Sequence, residues 1–327
     1  MKTKISPVVV TVLCLPILSF YAFGQTENND VDSKISNRIP FYSFDGKQRV
    51  DMDKEEYRKK VLPRNIKMCW ARPDQLYSLI VTTIQDGLPA DVIKSAEHLI
   101  IIDKDSERSN VIYAILLEET GNIDKAEQVL DGFVQRHGET GVVLTNLAKI
   151  YAERRQDEKA EKTLWRGLTI DPNQENGMLW YVARQHEHNG KAGYIDALKK
   201  ISDLKGSWRA QLYLARECLE KKDLAGAKEY YTKVLAIVSD EPDVLTMISG
   251  DLGNGGYNQE IVDIISPVYD SKKQGPYPGI NLILAYINLG DLDKADNLVR
   301  KLKSFYNPVI QQRLTYFQEK IKVLKDN

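Results

Sequence analysis

Three cysteines in 327 residues are too few for a disulfide framework. With 20 glycines and 12 prolines, the chain is no fibrous or low-complexity sequence. Neither sign of charge is in excess: 45 Lys and Arg stand against 46 Asp and Glu, a net of −1, which gives no footing for a nucleic-acid binder. Chemistry is scarce as well. There is no HExxH, no cysteine pair at zinc-ligand spacing, no G-x-S-x-G elbow and no phosphate-binding glycine loop. His186-Glu187-His188 is the nearest approach to a metal motif, but residues two apart on a helix point to different faces. No enzyme, metal or cofactor is expected. No Asn-x-Ser/Thr sequon occurs. What is present is a core-forming chain, 43% hydrophobic and 28% charged, with 17 tyrosines.

One long apolar run exists, at the start. Lys2 and Lys4 precede a stretch from Val8 to Phe23, followed by small residues at Ala22 and Gly24. That order is a secretory signal peptide, with cleavage expected after Gly24. Pro7 and Pro16 argue against an uncleaved anchor, and Leu13 before Cys14 is too large for a lipobox. The chain is therefore expected to be exported, to a periplasm or the cell surface, with no membrane span after cleavage. Cys69 and Cys218 are then read as buried thiols rather than as a bridge.

The rest of the chain repeats itself. Ala114, Ala148 and Ala215 are each followed seven residues later by a turn and twelve later by another Ala, at 126, 160 and 227. Turn positions recur at Gly87, Gly121, Arg155, Gly190, Lys222, Gly256 and Gly290, separated by 34, 34, 35, 32, 34 and 34 residues. Apolar residues around each turn follow helical periodicity, so the unit is helix, tight turn, helix. Leu144, Leu147, Ala148, Tyr151, Ala160, Leu164 and Asp171-Pro172 are its clearest statement.

These residues resemble the tetratricopeptide repeat in period and skeleton. The resemblance implies an all-α, right-handed superhelical solenoid of about seven helix pairs over residues 73–307. Small residues at Ala148 and Ala160 would let the two helices approach closely. A capping helix is expected at 308–327, opened by Asn307-Pro308 and carrying Val309, Ile310, Leu314, Phe317, Ile321 and Leu324 as one stripe. Ahead of the array lie a flexible linker (25–38) and a non-repeat segment (39–72). In that segment Phe41 to Val50 reads as a hairpin turning at Asp45-Gly46, and Asp53 to Val61 as a short charged helix. Pro267 predicts an early stop in the second helix of its unit, and Gly275 to Gly279 a loop.

In the family this array resembles, positions 2, 5, 9, 12 and 13 of each first helix face a concave groove. Position 9 then holds Lys149, Arg184 and Arg216; Trp180 falls at position 5, Tyr181 and Tyr213 at position 6, and Arg209 at position 2. Cations beside aromatics suit an acidic or carboxylate-bearing segment. Position 13 holds Glu119, Glu153, His188 and Glu220, so the same cations have an internal neutralisation open to them. No unit has the Lys at position 5 that a chaperone-tail clamp needs. The expected role is a non-catalytic scaffold for another protein or an extended peptide. The alternative is a permanent structural subunit of an envelope or secretion assembly; the oligomeric state is not fixed by the sequence.

Overall fold

The structure is a computed structural model that describes residues 38–42, 49–238 and 241–326. The expected signal peptide, the expected linker up to residue 37 and the expected Asp45-Gly46 turn lie outside the described residues.

Two short strands, β1 (Arg38–Tyr42) and β2 (Arg49–Asp53), pair antiparallel with Arg38 opposite Asp53 and Tyr42 opposite Arg49. Asp53 then caps α1 (Lys54–Glu56), accepting from the backbone N–H groups of Glu55 and Glu56. The helix expected to end near Val61 instead runs on through a π turn (Tyr57–Val61) into α2 (Leu62–Cys69). Pro63 falls in the first turn of α2, where its missing N–H costs little.

Helix pairs follow. They are α3 (Pro73–Gln85) with α4 (Ile93–Ile102), α5 (Ser106–Glu119) with α6 (Ile123–His137), and α7 (Gly141–Glu153) with α8 (Asp157–Ile170). Helix packing divides the chain after Ile170 into two compact units. The second unit holds α9 (Glu175–Ser202), α10 (Arg209–Glu220) with α11 (Leu224–Ile237), α12 (Pro242–Asn254) with α13 (Asn258–Ile265), a short α14 (Ser271–Gln274), α15 (Tyr277–Asn288) with α16 (Leu292–Leu302), and a terminal α17 (Pro308–Asp326). The all-α repeat architecture implied by the 34-residue period is what the chain adopts.

The backbone marks the period directly. All seven expected turn residues have positive φ, the two non-glycines included: Arg155 at 61° and Lys222 at 60°. At six of the turns the same pair of hydrogen bonds recurs. Gly121 N–H donates to Glu118 O and Asn122 N–H to Leu117 O, for example, which satisfies carbonyls that a helix end leaves open. Gly190 is the exception. Its φ of 60° and ψ of −151° fold α9 back on itself, and Gly193 is packed so tightly there that a Cβ would lie 2.3 Å from the Gln185 carbonyl.

The cores follow the skeleton. Ala114, Ala126, Ala148, Ala160, Ala215 and Ala227 are all buried, as are Tyr151 and Leu164. Helix α13 ends at Ile265, two residues before Pro267, as a proline without an N–H demands. The expected loop at 275–279 is corrected: Tyr277, Pro278 and Gly279 already belong to α15, with Pro278 tolerated in its first turn. At α17 Asn307 accepts from Val309 and Ile310 N–H at 2.9 and 3.2 Å. Ile310, Leu314, Phe317 and Ile321 are buried there, while Val309 and Leu324 are exposed. The buried stripe is thus narrower than the expected one. Cys69 and Cys218 are free thiols, each partly buried.

Candidate binding face

Within each unit the first helices of successive repeats pack side by side: α3, α5 and α7 in one, α10, α12 and α15 in the other. Polar pairs lace neighbouring members. Arg108 of α5 reaches Asp74 of α3 at 2.6 Å, and Lys149 Nζ of α7 lies 2.5 Å from Glu118 Oε1 of α5. In the second unit Arg216 forks onto Asp251 of α12, with Nε 3.0 Å from Oδ1 and Nη2 3.2 Å from Oδ2. Asn281 of α15 donates to Ser249 of α12 at 2.9 Å.

This lacing decides where the expected ligand residues stand. Lys149 is spent on Glu118, whose carboxyl is almost wholly buried. Burial pushes that carboxyl up to about 7; Lys149 opposes the rise and the neighbouring Glu153 adds to it. Arg216 is held the same way by Asp251, which burial also pushes upward against the pull of the guanidinium. Beneath Arg216 lies the Tyr213 ring, 5.1 Å from the guanidinium carbon. Arg209 stands over the Trp208 ring, donates to Asn173 O at 2.8 Å and pairs with Glu175 at 3.4 Å. Tyr213 Oη also turns toward Glu175, at 3.4 Å. Tyr181 is buried, its hydroxyl accepting from Lys200 Nζ at 3.0 Å, so it is a core residue and not a lining one. Trp180 and Arg184 are half-buried, one turn apart in the first half of α9. Arg209, Tyr213 and Arg216 are gathered on α10, while Lys149 belongs to the other unit. Lys149, Arg209 and Arg216 thus each have an internal acidic neighbour, the neutralisation that the sequence left open to them.

Sequence reasoning passed over a different set. Gly250 occupies position 9 of α12, where a Cβ would meet nothing within 4 Å. Position 9 of the adjacent α15 is Leu284, 39% exposed, and position 2 is Tyr277, 40% exposed. Thr246 and Asn254 complete the α12 row. Asp243 is the sole charge at positions 2, 5, 9, 12 and 13 of these two helices, the positions expected to face a groove. The available signal was the run Thr246, Gly250, Gly253 at helical spacing.

Among the described residues there is no group of three or more His, Cys, Asp or Glu able to hold a metal ion, and no helix long and apolar enough to cross a membrane.

No family model matches the chain, and no curated protein matches it either. Solved structures do. Yeast Tom70 is 12% identical, with 84% of this chain covering 58% of that one at a TM-score of 0.46. A chain of the APC/C hetero-tetramer Cut9-Hcn1 is 17% identical, covered 83% and 54%, at 0.35. A tetratricopeptide repeat protein from Parabacteroides merdae is 13% identical, covered 75% and 98%, at 0.34. This chain thus spans little more than half the length of the first and second of these. The repeat assignment stands on the chain's own geometry: seven helix–turn–helix units whose turns all fall on the expected residues.

Proposed function

We propose that this protein is a non-catalytic scaffold that holds another protein or an extended peptide along the first helices of its second unit, in an extracytoplasmic compartment. One observation carries the reading. A glycine inside a helix costs about 1 kcal/mol relative to alanine. Crowding does not demand one at Gly250, since the space beside its Cα is open. On the adjacent α15 are the exposed Leu284, at the matching position, and Tyr277, two turns before it. An open floor with apolar walls and almost no charge suits the backbone and apolar side chains of a peptide. The Lys-rich start, apolar run and small residues at Ala22 and Gly24 support export.

Gly250→Trp fills the floor without touching the core, and Gly250→Ala leaves it open. In a cross-linked pull-down from the native envelope fraction, a partner held by the wild type and by Gly250→Ala should be lost with Gly250→Trp. Equal capture by all three would overturn the proposal. One feature favours the second reading, a permanent subunit of an envelope or secretion assembly. Val309, Tyr316 and Val323 stand seven residues apart on α17, each more than half exposed. Under that reading Tyr316→Lys, and not Gly250→Trp, releases the protein from its assembly.

A further inference from the structure

The near-zero net charge conceals a local excess. Residues 38–72 carry ten basic and five acidic residues, a net of +5, against −6 for residues 73–327. Lys59 pairs with Glu55 at 3.5 Å and Lys60 with Glu56 at 3.0 Å, acids already in that count, while Arg58 pairs with Asp91 outside the segment at 2.7 Å and takes one charge off the excess. Arg64 and Lys67 are different. Both are exposed on α2, and neither has an acidic partner among the described residues.

The same end of the first unit exposes large apolar side chains. Trp70 is 41% exposed. Trp70 is fixed in place, its ring stacked on His98 of α4 with centroids 3.9 Å apart and planes 4° from parallel. His98 Nε2 also lies 3.0 Å from the Trp70 carbonyl. This contact joins the end of α2 to α4. One helical turn from His98 on α4 stands Ile101, 80% exposed, and one turn the other way stands Lys94, also exposed. Lys104 and Arg72 extend the basic rim. The acids nearby are engaged: Glu97 holds Lys125 at 3.1 Å, accepts from Tyr113 and also acts on Lys94, and the Asp103 side chain is buried against Arg108.

We infer that this surface seats on an anionic lipid bilayer, with Trp70 and Ile101 entering the headgroup layer and Arg64 and Lys67 lying over its phosphates. Tryptophan and aliphatic side chains that project between basic residues are the chemistry of an interfacial anchor. Ile101 at 80% exposure lines no recess. A fluid interface accepts such projecting groups without needing matching pockets, which favours lipid over an acidic protein partner.

The test is co-sedimentation of the full chain with vesicles of phosphatidylcholine alone and of phosphatidylcholine with 30% phosphatidylglycerol. The apolar N-terminal run is common to every variant, so the readout is the difference between the two vesicles. Wild type should bind the anionic vesicles more tightly and show a blue shift of tryptophan emission that Trp70→Phe removes. Each basic residue near such a surface contributes roughly fivefold in affinity. Arg64→Glu with Lys67→Glu should therefore lower binding by about 25-fold or more. Ile101→Ser should weaken it while its salt dependence persists. Equal binding to both vesicles, or binding indifferent to these substitutions, overturns the inference. So does failure to bind either vesicle while poly-glutamate is bound in a Lys67-dependent way, because the surface would then be a protein site.

Discussion

At the scale of single residues, the turns and the buried carboxylates give the sharpest expectations. Arg155 and Lys222 hold a left-handed backbone that costs an L-residue about 1 kcal/mol and a glycine almost nothing. Arg155→Gly and Lys222→Gly should each stabilise the chain by about 0.5–1 kcal/mol in urea unfolding. Glu118 titrates near 7 when folded and near its ordinary 4.5 when unfolded. Between those values the folded chain keeps a proton that the unfolded chain has released. Stability should therefore fall as pH rises from about 4.5 to 7, and Glu118→Gln should flatten that slope. Lys149→Met removes the charge that opposes that rise, so the fall of stability with pH should extend above pH 7. A fall that still ends near 7 would show that Lys149 is not its counter-charge. These side chains were legible as types and positions. Their partners were not, because a linear pattern does not say which face of a neighbouring helix a carboxylate occupies. Yet a rule was available: Arg108–Asp74, Lys149–Glu118 and Arg216–Asp251 are 34, 31 and 35 residues apart, about one period.

Among the elements, the helix pairs were readable because alanine spacing, turn residues and apolar periodicity all agree. Reading failed where elements join without a repeat. The run from α1 through the π turn into α2 was truncated at Val61 because its charge obscured the Leu62, Ile66 and Cys69 side that packs inward. The start of α15 was taken for loop because Gly275, Pro276, Pro278 and Gly279 all discourage a helix, although a first turn tolerates Pro. The fold-back in α9 rests on Gly193 as much as on Gly190. Gly193→Ala drives a methyl into the Gln185 carbonyl and should lower the thermal midpoint clearly, whereas Gly250→Ala should raise it. The terminal helix covers the last pair with four large apolar side chains, each contributing about 1.5–3 kcal/mol when fully buried. A chain ending at Asn307 should aggregate or lose exchange protection in α15 and α16.

For the molecule as a whole, charge is placed rather than averaged. A protein of net −1 is expected to pass a cation exchanger at neutral pH. This one should be retained in low salt through residues 38–72 and released once Arg64 and Lys67 are reversed. The architecture was legible at this scale and the partner was not. A repeat's skeleton is set by packing that every copy shares, while a binding face is set by what each copy does differently.

The lacing between first helices has a consequence for how such an array can change its length. Repeats of equal period invite copying slips that add or drop a unit without breaking the backbone pattern. Here each of the four first-helix junctions described within the units also carries its own lock. Were the unit of α12 lost, Arg216 would face Ala285 at the matching position of α15 and the fork onto Asp251 would have no substitute. The units share a shape but are keyed in sequence, so their order is inherited as a whole.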